Sequence, residues 1–323
     1  MRTSKTWLKL IICILPIMLF NFSTILAQQK SLIIDADTGN EMDDLYAIVR
    51  ALADENLKVI GITSAHFNNP QLLTDSLWHI YPTEDINTLQ ISQDLNEEIL
   101  QSMDMESIPH PKGCDQMVGY AWGYYEGAPI PKSPATEFII EQAKKHSPQN
   151  KLNVMCLGPV TNVASAILQE PSIASSIRLY CLTMKYDVEE GVWNKNSFNA
   201  RNDINGLDIV LNEKDLECWI TPGTVAKKLQ FNHKRSVRKL QKIDSQIATI
   251  LEERWEEVSA GESWIMWDLA LVEAFINPKY ATVEKRKTPP ENTDRMLHVY
   301  IDIKEKKMIK EFWKVYLNFE KQR

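Results

Sequence analysis

Short apolar runs alternate with runs of helical period along almost the whole chain, and this restricts the fold more than any other feature. Strand-like stretches occupy residues 32–34, 57–64, 153–157, 177–183, 216–220 and 297–303. Helical periodicity spans residues 43–53, 72–80, 133–145, 160–168, 206–211, 236–258, 268–275 and 306–319, and a further helix starts at Pro222. The stretch 82–111 has neither signature. Alternation of this kind predicts an α/β fold: a doubly wound, mainly parallel, Rossmann-like sheet with helices on both faces. Ligands of such sheets bind beyond the carboxyl ends of the strands, so the residues just after each strand are the first candidates for a site.

The first 27 residues stand outside this pattern. Arg2, Lys5 and Lys9 precede an apolar stretch at 10–20, and Ala27 closes the segment. That is the layout of a secretory signal peptide. The apolar run is shorter than the ~20 residues a membrane span needs. Ile12 is too bulky to precede a lipidated Cys13. The expected organisation is a signal peptide over 1–27, one domain over 28–323, and an exported product, periplasmic or secreted. Loss of Arg2, Lys5 and Lys9 would take the net charge from −7 to −10. An acidic chain gives no general drive toward nucleic acid. Cys114, Cys156, Cys181 and Cys218 remain, without C-x-x-C spacing. They are expected to be free thiols.

Chemistry concentrates at the end of the first strand. Asp35, Asp37, Glu41, Asp43 and Asp44 fall within ten residues. Carboxylates this close repel one another unless a cation or proton separates them. An all-oxygen set with no nearby His or Cys suits Ca²⁺ or Mg²⁺, and the spacing is not that of an EF-hand. The plain alternative is a solvated acidic turn ahead of a helix.

The segment Ile34-Asp35-Ala36-Asp37-Thr38-Gly39-Asn40-Glu41-Met42-Asp43-Asp44 resembles the N-terminal aspartate motif of the inosine-uridine preferring nucleoside hydrolases. Further landmarks follow in the family's order. Gly61-Ile62-Thr63-Ser64 with Asn68 resembles the second strand and its ribose-contacting Asn. Leu157-Gly158-Pro159-Val160-Thr161-Asn162-Val163-Ala164 is similar to the family's Gly-Pro-Leu-Thr-Asn-Ile-Ala signature and is the most specific match. Phe198-Asn199 with Asp203 resembles the Glu-Phe-Asn segment, and Trp267-Asp268-Leu269-Ala270 the late His-Asp-Pro motif.

The resemblance implies the nucleoside hydrolase fold and calcium-dependent hydrolysis of the N-glycosidic bond of ribonucleosides. Carried over by position, Asp37, Asp44 and Asp268 would hold Ca²⁺ by side chains and Leu157 by its carbonyl. Asp43 would be the general base, and Asn68 and Asn199 would contact the ribose. The partner implied is a small nucleoside or related N-riboside. Homo-oligomers are frequent in the family.

Departures are as informative. Five residues separate Asp37 from Asp43; in better-known members that gap is shorter, so the loop must bulge and bring Asn40 or Glu41 toward the site. Ser197 stands in place of a Glu, Trp267 in place of the His associated with protonating the leaving base, and Thr183-Met184-Lys185 in place of a small-residue segment. Trp193, Trp264 and Trp267 are candidates to stack on the base, with core packing as the alternative. His66 and His110 are expected near the pocket rim. Two other readings compete. One is a catalytically impaired nucleoside- or sugar-binding protein on this scaffold. The other is a haloacid-dehalogenase-like phosphatase using Asp35, although Gly39 occupies the position of that motif's Thr.

Overall fold

The computed structural model describes residues 29–73 and 86–323. The expected signal peptide and most of the helix expected over 72–80 lie outside them. In chain order the elements are β1 (Lys30–Ala36), α1 (Asp43–Leu52), β2 (Leu57–Ser64), α2 (Pro70–Leu73), α3 (Thr88–Ser102), α4 (Pro134–Ala143), β3 (Leu152–Cys156), α5 (Thr161–Gln169), β4 (Ile177–Leu182), β5 (Lys185–Asp187) and β6 (Val192–Asn194). There follow α6 (Phe198–Asn202), α7 (Ile204–Asn212), β7 (Glu217–Thr221), α8 (Gly223–Ala226), β8 (Gln230–Asn232), α9 (His233–Leu240), α10 (Gln246–Glu257), β9 (Ser263–Ile265), α11 (Trp267–Ile276), β10 (Ala281–Lys287), β11 (Met296–Ile303) and α12 (Glu305–Gln322).

Seven strands form one sheet in the order β10-β11-β7-β4-β3-β1-β2. All neighbours are parallel except the β10–β11 pair. β3 is buried at every residue, as a strand covered by helices on both faces must be. Two apolar clusters fill the faces: one around α1, α10, α11 and α12, the other around α5 and α7. The order reverses at β1, which has β2 on one side and β3 on the other. That switch point opens a crevice at the carboxyl ends of β1 and β3. Asp37 follows β1 there, and Leu157, whose N–H donates to Asp35 O at 2.8 Å, follows β3.

Among the described residues no helix is long and apolar enough to cross a membrane. The four cysteines from Cys114 onward are buried free thiols.

The helix expected over 236–258 is two helices. A turn after Leu240 ends α9, and the Ser245 side chain caps α10 by accepting from Ala248 N at 3.2 Å. Nor is α10 merely a surface helix, because Ile247, Leu251, Arg254 and Trp255 are buried. The ambiguous stretch holds α3, whose buried face includes Ser92, Gln93 and Asn96. A helix that buries polar side chains shows no clear apolar stripe. β10 is a sheet edge carrying Lys285, Arg286 and Lys287, the charged dress of an edge strand.

Candidate active site

The aspartate motif leaves β1 and turns at once, with Asn40 N donating to Asp37 O at 2.8 Å. The long loop from 38 to 42 is held from two sides. From α3, Asn96 Oδ1 accepts from Thr38 Oγ1 at 2.5 Å and Ser92 Oγ from Gly39 N at 3.3 Å. From α10, the buried Arg254 guanidinium donates to Gly39 O at 2.9 Å and to Glu41 O at 3.0 Å. The bulge is therefore a braced loop. Arg254 lies more than two hundred residues from the loop it braces, and no local sequence signal marks it.

The loop delivers Asp43 and Asp44 to the first turn of α1, where carboxylates suit the positive end of the helix. Asp268 opens α11 in the same way. The two helix starts meet: Asp268 N donates to Asp43 Oδ2 at 3.0 Å. About two turns further along α1, Arg50 donates from Nε to Glu273 of α11 at 2.6 Å and from Nη1 to Asp54 at 2.8 Å. This buried strut sets the spacing of the helices that carry the acids.

Among the described residues, Asp43, Asp44 and Asp268 form a three-carboxylate group whose oxygens lie within 4.8 Å of one another. Asp37 faces the same crevice, with its carboxyl packed on Gly158; a Cβ at that glycine would sit 2.7 Å from Asp37 Oδ1. Burial raises the pKa of Asp37, Asp43, Asp44 and Asp268, and mutual repulsion lifts those of Asp37, Asp44 and Asp268 further. Burial and the charges of Asp43 and Asp44 raise Glu41, which the indoles of Trp264 and Trp267 partly offset.

Asp37 Oδ2, Asn40 Oδ1, Asp44 Oδ1 and Asp268 Oδ1 are buried without a hydrogen-bond partner. Buried oxygens left so cost free energy unless something electropositive meets them. The donor set is all oxygen and strongly acidic, so these residues fit a hard divalent cation.

The acids form one wall of a cavity of about 400 Å³, large enough for a small-molecule ligand. Leu157, Asn199, Ser197, Trp267, Lys185 and Lys227 contribute to the rest. Asn199 Nδ2 donates to Leu157 O and, at 2.9 Å, to Leu182 O.

The inosine-uridine preferring nucleoside hydrolase family model matches residues 32–315. The chain belongs to that family. Probable uridine nucleosidase 2 of Arabidopsis thaliana is 27% identical over 187 residues, 57% of this chain and 56% of that protein. The matched stretch thus spans little more than half of the relative's length. Among solved structures, the purine-preferring ribonucleoside hydrolase from Gardnerella vaginalis aligns with a TM-score of 0.68 at 18% identity, over 91% of this chain and 100% of that one. A plant nucleoside hydrolase gives 0.67 at 17% identity over 89% and 99%. The inosine-uridine preferring nucleoside hydrolase from Bacillus anthracis gives 0.61 at 14% over 91% and 100%. At these identities the structural likeness speaks to the fold: it is the nucleoside hydrolase fold, as the strand–helix alternation and the motif order led one to expect. The family is generally metal-dependent, and the buried aspartates are where its aspartate motif would put a metal.

Of the residues singled out by sequence, Asp37, Asp43, Asp44, Leu157, Asn199, Trp267 and Asp268 line the family's cavity here. Asn68, Trp193 and Trp264 do not. Asn68 is turned to the loop at 115, donating from its amide to Asp115 O. Trp193 sits on the β5–β6 hairpin, its ring 4.4 Å from that of Tyr186 and its indole N–H donating to Lys287 O at 2.8 Å; it packs the hairpin instead of facing the crevice. His66 is buried behind the site against Thr161 Oγ1 at 3.0 Å, and burial pushes its pKa down to about 4. His110 donates from Nδ1 to Ile108 O at 2.9 Å and is not in the cavity wall.

Asp35 is fully buried and engaged by Thr63 Oγ1 at 2.6 Å and Asn162 Nδ2 at 2.7 Å. A nucleophile of a phosphatase could not reach a substrate from there. The Thr161-Asn162 pair of the signature is likewise a framework element. Asn162 joins Asp35, Ser64 O at 3.0 Å and Cys114 N at 2.8 Å, while Thr161 donates to Asp203 at 2.7 Å.

Proposed function

We propose that this protein hydrolyses the N-glycosidic bond of ribonucleosides or a related N-riboside, with Ca²⁺ as cofactor, after export directed by residues 1–27. The observation that carries the reading is the meeting of Asp43, Asp44 and Asp268 on a nucleoside-sized cavity, with buried carboxylate oxygens left unsatisfied.

Asp37, Asp44 and Asp268 would hold the ion, with Leu157 O completing the set. Bound there, it would supply an anchor for vicinal ribose hydroxyls and would acidify an attacking water. Asp43 would take the proton of that water at its carboxylate; burial raises its pKa, and the hydrogen bonds from Asp268 oppose that rise and favour the ionised form. It is oriented for this by Asp268 N–H, which fixes one of its oxygens. As the bond to the base breaks, positive charge grows on the sugar, and the ring of carboxylates stabilises it without reorganisation. Asn199 holds the sugar side of the cavity and Trp267 offers its ring to the base.

The test is a ribonucleoside panel with and without Ca²⁺, following release of free base. Base release that disappears with chelator and returns with Ca²⁺ supports the reading. Tight nucleoside binding with no turnover under any metal condition would leave a binding protein in its place.

A further inference from the structure

Two exposed lysines line an acidic cavity and pair with nothing in it. Lys185 and Lys227 both line the wall. Neither makes an ion pair or a side-chain hydrogen bond with another described residue. Their neighbours behave differently: Lys228 pairs with Asp302 at 2.5 Å, and Lys195 with Asp208 and Glu291 at 2.6 and 2.8 Å. The cation that lowers the pKa of Asp44 is Arg254.

The two segments that carry them are locked to each other. Met184 O accepts from Gly223 N at 2.9 Å. Thr224 Oγ1 accepts from Tyr186 N at 3.2 Å and donates to Tyr186 O at 2.7 Å. Met184 itself is held with φ of 56°, a left-handed conformation that is costly for a non-glycine residue. Its N–H donates to Ser197 Oγ at 2.9 Å. Strain retained beside a cavity, and clamped by three hydrogen-bonding partners, marks a positioned segment. Lys185 is the residue it positions. The same place departs from the family in sequence. Thr183-Met184-Lys185 replaces a small-residue segment, and Ser197 replaces a carboxylate that would repel an anion.

Resting on the N-riboside reading, we propose that the substrate carries an anionic group, a phosphate or a carboxylate, seated between Lys185 and Lys227 while the ribose reaches the aspartates. The anion sits either on the sugar's 5′ position or on the base. A neutral nucleoside would leave both ammonium groups with water alone. An anion replaces that with charge-assisted hydrogen bonds, each strong enough for about a tenfold effect on kcat/KM.

The experiment uses the full chain loaded with Ca²⁺ and compares uridine with uridine 5′-monophosphate and with orotidine, which bears its carboxylate on the base. The expected result is that one of the anionic substrates exceeds uridine in kcat/KM by tenfold or more. Lys185→Gln and Lys227→Gln should each reduce that ratio about tenfold, and Lys→Arg at either position should keep most of it. A preference for the monophosphate places the anion on the sugar; a preference for orotidine places it on the base. Uridine turned over as well as both anionic compounds, or a ratio unmoved by both glutamine variants, overturns the proposal and leaves the nucleoside hydrolase reading intact. If none of the three is cleaved, the ribonucleoside panel decides the hydrolase reading separately. Calorimetric binding of the same compounds then decides: tighter binding of an anionic one, lost in the glutamine variants, supports the proposal, and equal binding refutes it.

Discussion

Removing the Arg50 side chain should damage this protein more than any exposed charge could. Arg50 and Glu273 have side chains 1% and 0% exposed and are joined at 2.6 Å, so their attraction is almost unscreened. Arg50→Met keeps the bulk of the stem but leaves the Glu273 carboxylate buried with only Asn277 Nδ2, at 3.2 Å, to answer it. A buried charge stripped of its partner costs about 3–5 kcal/mol, and for a chain of this size that is on the order of 10 °C in Tm. Urea unfolding followed by tryptophan fluorescence measures it. The loss has a sign in pH. Burial already holds Glu273 above its usual value of 4.5 although Arg50 lowers it. Without Arg50 it rises further, so the variant regains stability as pH falls toward 4.5, and the deficit is larger at pH 8 than at pH 5. The double variant Arg50→Met, Glu273→Leu removes the more deeply buried of the two orphaned charges, leaving Asp54, and should recover part of the stability. Because the strut spaces the helices bearing Asp43, Asp44 and Asp268, the single variant should also bind Ca²⁺ more weakly. A single variant within 1 kcal/mol of wild type, or a double variant no better than the single, would refute the strut as described.

Two other perturbations probe the ground beneath the site. Gly158→Ala places a Cβ 2.7 Å from Asp37 Oδ1, so the carboxyl must move; Ca²⁺ affinity by calorimetry should fall about tenfold or more, and unchanged affinity would remove Asp37 from the cation site. His66 is buried neutral, with its pKa lowered from 6.5 to about 4 by burial. Its contribution is complete above pH 6.5 and is lost as pH falls to 4, amounting to about 3 kcal/mol. His66→Gln should therefore lose less stability than wild type between pH 7.5 and pH 4.5 in urea unfolding, and parallel losses would contradict the assignment.

The sheet was legible wherever burial was complete. β3 and β4, and the second halves of β1 and β2, are buried apolar-rich runs because helices cover the sheet there, and that pattern needs no knowledge of partners. α3 and β10 escaped for the opposite reason. The buried face of α3 is polar because its work is to hold Thr38 and Gly39, and β10 is an edge that wears charge. The break between α9 and α10 did have a local signal, since Asp244-Ser245 is a capping sequence with no glycine or proline to advertise it. At the site, the acids could be found because the chemistry demands carboxylates after a strand and at helix starts. Asn68 and Trp193 could not be placed, because proximity in sequence to a motif says nothing about which way a loop or hairpin turns. Arg254, Arg50 and Glu273 act between elements distant in the chain, and only the fold brings them together. Lys185 and Lys227 are in the same position: each is an ordinary surface lysine until the bonds between the segments at 184–186 and 223–224 put them on one wall.

Whether Asp43 moves the proton while its neighbours hold the cation is tested most directly by Asp43→Asn. The substitution keeps an oxygen to accept from Asp268 N and takes away the basic carboxylate. Calorimetry with Ca²⁺ and base release at saturating substrate are measured on the same preparation beside wild type. The expected result is a protein that still binds Ca²⁺ and whose kcat has fallen by about 10²–10⁴-fold. Turnover at the wild-type rate would contradict the account at its centre.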